Sequence, residues 1–180
     1  NLPKLIFQSL LSAMGALGTV LSFTTAFDIS ISIPAVILTC LVSAALFTFC
    51  FMHKKALWIL IPAALAIVAA AVFTELFAPM SPTFIQLVHD ILTRFSSAYP
   101  NMSFAIPAAP DPSEHQSITL FFCMVSLLLT LWVAWGVGYR SCLITIAGTL
   151  PFLLICVMIN DTPPSAFPLV MLLSVWVTVL

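Results

Sequence analysis

The sequence predicts an all-α protein: a polytopic transmembrane helical bundle of about six spans, with an outer amphipathic interfacial helix near 82–97. Three observations lead there. The chain is 62% hydrophobic and only 6% charged, against about 25% charged for a soluble domain, and its mean hydropathy is +1.22. A soluble globule leaves roughly 30% of its unfolded surface in water and has no means of hiding this much apolar area. Second, the apolar runs are continuous and long, whereas barrel strands would alternate polar and apolar residues. Third, of the five basic and six acidic residues all but Glu75 fall outside the apolar runs. The composition excludes a soluble enzyme and a disordered region. A formal net charge of −1 also excludes a phosphate-backbone binder, so no nucleic-acid partner is expected.

The first span is expected over 5–27, about 35 Å as a helix, enough to cross with tilt. Lys4 before an apolar run is also how a signal peptide opens, but a signal core is about 7–15 residues, and this run is longer and lacks a clear cleavage site. Asp28-Ile-Ser-Ile-Ser32 is a polar turn. The second span covers 33–52, with Pro34 in its first turn, where a missing N–H costs little. His53-Lys54-Lys55 is a tight basic loop, and the third span follows over 56–77, kinked at Pro62. Residues 78–117 form the one long connection. The fourth span is 118–137, Gly138-Tyr-Arg-Ser141 is a turn, and the fifth span is 142–159 with Pro151 near its middle. A sixth span opens at 167. Residues 167–180 fall short of the ~20 residues a crossing needs, so the span is expected to be incomplete and the chain a single transmembrane domain cut from a longer protein.

Numbering the loops alternately sorts the charges. Lys4, Lys54, Lys55 and Arg140 fall on one side; Asp28, Asp90, Asp111, Glu114 and Asp161 fall on the other, with Glu75 at the end of span three facing them. Arg94 alone breaks the pattern. The positive-inside rule then puts the N-terminus in the cytoplasm and the loop 78–117 outside, in a cell (plasma) membrane.

Within that loop Phe84, Leu87, Val88, Ile91, Leu92 and Phe95 recur at helical spacing, with Gln86, Asp90, Thr93 and Arg94 opposite. Ser81 and Pro82 suit an N-cap and first helical residue. Such a helix lies flat in the headgroups or caps the bundle. Residues 98–117 read as a proline-rich extended loop.

Chemistry-bearing residues are few. Cys40, Cys50, Cys123, Cys142 and Cys156 all lie in spans or at their inner ends, with no Cys-x-x-Cys pair, and read as small apolar side chains. His89-Asp90 and Glu114-His115 share the outer side, but their spacing fits no metal-ligand pattern. Glu75 sits near a boundary where its carboxylate can reach water. No charge falls at the midplane of a span, which argues against ion-coupled transport. No catalytic residue, metal site or cofactor is expected. Small residues do have a role: Gly15, Gly18 and Ser22, with Ser12 and Ala16, give span one a narrow face for close helix approach, either within the chain or between two copies.

The order of features resembles the N-terminal membrane region of bacterial transglutaminase-like multi-pass proteins, especially the Firmicutes type. The resembling pieces are Leu21-Ser-Phe-Thr-Thr-Ala-Phe-Asp28, the Lys54-Lys55 loop, the Pro-rich segment before span four, Thr149-Leu-Pro-Phe152 and Asn160-Asp-Thr-Pro-Pro164. In that family the helices precede an extracytoplasmic Cys-His-Asp domain of cysteine-protease fold. No position here matches that triad. The resemblance implies an anchor that positions such a catalytic domain downstream in the same chain, with the lipid bilayer as its other partner. The competing expectation is part of a small-solute transporter with kinked spans three and five lining a path.

Overall fold

The computed structural model describes residues 2–53, 80–101, 105–109, 118–159 and 164–180. Among them are six α-helices: α1 (Leu2–Ala26), α2 (Ile33–Met52), α3 (Met80–Ala98), α4 (Ile118–Gly138), α5 (Cys142–Ile159) and α6 (Ala166–Val179). The described apolar runs therefore fold as helices with bounds close to those read from the sequence. Three of them, α1, α2 and α4, are long and apolar enough to cross a membrane, and α5 and α6 are shorter apolar helices. The expected third span, 56–77, lies outside the described residues, as do Lys54, Lys55, Glu75, Asp111, Glu114 and Asp161.

The bundle is built around α1, which packs against α2, α4, α5 and α6. Two apolar clusters mark its two ends. At the first, Leu11 of α1 meets Val133 and Val137 of α4 and Val175 and Val179 of α6, with Cys142 of α5 alongside. At the second, Phe23 and Phe27 of α1 meet Val36 and Cys40 of α2, Phe122 of α4 and Cys156 of α5. Thus α1 and α5 run one way, and α2, α4 and α6 run the other. Lys4, His53 and Arg140 fall at the first end, and Asp28, Asp90 and Arg94 at the second.

Beside its apolar clusters the bundle buries a set of hydroxyls, and its exterior carries large apolar side chains. Ser12, Thr19, Ser126, Thr130, Thr145 and Thr149 are buried, while Leu38, Val42, Phe49, Leu128, Leu143, Val157, Phe167 and Val177 are exposed. Water would penalise that exterior heavily; hydrocarbon would not. Most buried hydroxyls donate to the carbonyl one turn back in their own helix: Ser12 to Gln8 at 2.8 Å, Thr19 to Gly15 at 2.8 Å, Thr130 to Ser126 at 2.6 Å and Thr149 to Thr145 at 2.9 Å. The hydroxyl proton is thereby satisfied within the helix; the Thr149 oxygen also accepts the Trp176 indole N–H of α6 at 3.0 Å.

Two helix ends close in the left-handed region without glycine. Asp28 (φ 53°) and Arg140 (φ 52°) sit there. The Ile29 N–H reaches back to the Thr24 carbonyl at 2.9 Å, and the Ser141 N–H to Gly136 at 2.9 Å with Arg140 N–H to Val137 at 3.2 Å. Both follow the Schellman pattern, in which the residue after the C-cap turns left-handed so that orphan carbonyls are bonded.

Candidate functional site

Helix α3 begins at Met80, one residue before the expected cap, so Pro82 sits inside its first turn. Its amphipathic face caps the second end of the bundle: Leu87 and Ile91 pack on the Phe23–Phe27 cluster, and the Phe84 ring lies 6.2 Å from Phe121. Phe84 nevertheless remains 53% exposed. Val88 is half-buried, and the Phe95 ring lies against Tyr99, centroids 4.7 Å apart and planes tilted by 36°.

The cap is also electrostatic. The Arg94 guanidinium donates to the Phe27 carbonyl at 3.3 Å and lies 5.7 Å from the Phe27 ring centroid. The Tyr99 hydroxyl donates to the Met158 carbonyl at 3.3 Å. Those carbonyls belong to the C-terminal ends of α1 and α5, the two helices that point toward α3. A helix C-terminus carries unbonded carbonyls and partial negative charge, so a cation and a hydroxyl suit the two ends. His89 Nδ1 is 2.8 Å from the Pro107 carbonyl; a carbonyl only accepts, so Nδ1 carries the proton. This tie holds segment 105–109 against α3.

The small-residue face of α1 is used within the chain. A Cβ on Gly15 would stand 2.9 Å from Val133 Cγ1, and one on Gly18 would stand 2.9 Å from both the Leu172 nitrogen and the Pro168 oxygen. Ser22 is buried beside α5, its carbonyl 4.0 Å from the Cys156 thiol. Lys4 lies in the first turn of α1 and Arg140 in the α4–α5 turn.

One feature escaped the sequence reading. The Trp132 indole lies over Gly148, where any Cβ would collide with it, and donates its N–H to the Ile144 carbonyl at 2.7 Å. Beside it Val125, Leu128, Leu129, Trp132, Ala147, Gly148 and Phe152 line a lateral groove of about 380 Å³ between α4 and α5. The one available signal was a glycine inside an apolar helix, which marks a close approach only once the neighbouring helix is known.

Among the described residues no three His, Cys, Asp or Glu side chains come together as a metal site would require. All five cysteines are free thiols, with Cys40, Cys50 and Cys156 buried. Comparison with protein-family models, curated proteins and solved structures returned no match.

Proposed function

We propose that this chain is an integral membrane anchor or scaffold module, with about six spans, a cytoplasmic N-terminus and α3 outside the membrane. The observation that carries the reading is the state of its buried polar groups. The hydroxyls that line the helix contacts are mostly bonded to their own backbones, and the α4–α5 groove is walled by apolar side chains. A solute path needs polar groups turned toward a cavity; a scaffold needs close, dry helix contacts. Support for the third span comes from its neighbours: α2 ends at the first end of the bundle and α3 lies at the second, and a helix over 56–77 would rise about 33 Å between them. The resemblance supports a transglutaminase-like domain as the cargo so anchored.

The purified chain in proteoliposomes tests the choice between scaffold and transporter. Uptake of labelled amino acids, sugars and protons is expected to equal that of protein-free vesicles. Saturable uptake of any of them would overturn the scaffold reading and favour transport.

A further inference from the structure

The exposed flank of α4 carries a stripe of large side chains at helical spacing. Leu128, Trp132, Trp135 and Tyr139 are 61%, 42%, 40% and 69% exposed, and all project along one line that ends at Arg140. The upper part of this stripe is the groove shared with α5. The lower part is polar at its tips. Trp135 and Tyr139 make no side-chain hydrogen bond among the described residues, and neither does the exposed Arg140. Trp132 differs, since its N–H is already held by Ile144, and its ring braces Trp135 edge-on at 5.6 Å. A firm apolar slot therefore leads to three unengaged donors, one of them a fixed positive charge.

The spacing matches one kind of molecule. From Leu128 to Tyr139 a helix rises about 16 Å, close to half of a hydrocarbon core of about 30 Å. A lipid whose phosphate rests at the rim would lay an acyl chain along the slot to the middle of the membrane. The charge at this end selects its headgroup: Lys4 and Arg140 lie here with no described carboxylate, while Asp28 and Asp90 lie at the other end, where the cation Arg94 is already held by the Phe27 carbonyl. We propose that the α4–α5 face binds an anionic glycerophospholipid, one acyl chain in the groove and the phosphate among Trp135, Tyr139 and Arg140. Indole and phenol groups suit the ester and glycerol level of the interface, and arginine suits the phosphate. The site rests on the membrane-spanning reading of the chain, and goes beyond it in naming a ligand and a place.

Native mass spectrometry of the chain extracted from vesicles of equal phosphatidylglycerol and phosphatidylcholine tests it. The wild-type chain should retain phosphatidylglycerol over phosphatidylcholine by about fivefold, the worth of one well-placed cation. Arg140→Gln should bring that ratio close to one. Ala147→Trp and, separately, Val125→Trp fill the slot from opposite walls and should lose the retained lipid while keeping wild-type helicity; two fillers guard against one that misfolds. Equal retention of the two lipids by the wild type, or wild-type retention by a folded slot-filling variant, would overturn the site. A chain that enters no vesicle at all would overturn the membrane reading with it, a result distinct from loss of preference.

Discussion

Gly18 and Gly15 look alike in the sequence and differ in what faces them. At Gly18 an added Cβ meets the backbone of α6, the Leu172 nitrogen and Pro168 oxygen at 2.9 Å, and backbone yields only if the helix moves. At Gly15 the nearest atom is a Val133 methyl at 2.9 Å, on a buried, β-branched side chain that yields only in part. Alanine also favours a helix over glycine by about 1 kcal/mol. Gly18→Ala is therefore expected to destabilise the bundle by about 1–3 kcal/mol, and Gly15→Ala by less, because a side chain yields more readily than backbone and the helix preference of alanine offsets part of the clash. Thermal melts in detergent, followed by circular dichroism, check the order; equal losses at both positions would refute it. Arg140 presents the opposite case, a side chain kept where glycine is the default. A left-handed non-glycine residue costs about 1–2 kcal/mol, so Arg140→Gly should raise stability by about 1 kcal/mol in the same melts. The charge it removes is one of those that mark its end of the bundle, which gives a reason for the strain to persist.

At the scale of elements, α3 acts on the ends of α1 and α5 more than on their sides. Its apolar face was legible from spacing alone, because Phe84, Leu87, Val88, Ile91 and Phe95 recur as one face of a helix must. Whether that face met headgroups or protein was not legible, since the period is the same for both. Arg94 was the one charge out of place in the sorted loops, and the structure supplies its reason: it is folded onto the Phe27 carbonyl and ring, at the negative end of α1. Replacing Arg94 by Met keeps the stem and removes the charge. Given about 1.5–3 kcal/mol for a hydrogen bond to a charged group, hydrogen exchange across 84–99 should quicken by tenfold or more in Arg94→Met. Exchange in the middle of α1 should not change. Unchanged exchange in α3 would mean that the apolar face alone holds the cap. The Trp132–Gly148 seat was hidden for a different reason: it is a contact between two helices, and nothing in either helix read singly distinguishes it from routine apolar packing.

For the whole molecule, the charge pattern becomes a physical direction. Sorting by loop number assumed a span count, and the expected third span falls on residues outside those described. For the described charges the helices reach the same division without that assumption, because the two apolar clusters fix which helix ends lie together: Lys4 and Arg140 at one, Asp28 and Asp90 at the other, with Arg94 again the exception. The sorting is thus a property of the folded bundle, while its orientation in a membrane rests on the general bias that keeps Lys and Arg on the cytoplasmic side. Single cysteines placed in a variant lacking the five native ones test that last step. Lys4→Cys reports on the first end and Ser30→Cys on the second, both at exposed positions. In intact cells a membrane-impermeant maleimide should label Ser30→Cys and leave Lys4→Cys untouched until the membrane is opened. The reverse pattern would keep the bundle and invert it, placing α3 in the cytoplasm. Labelling of both in intact cells would mean that the two ends are not separated by a bilayer, and the anchor reading would fall with that result.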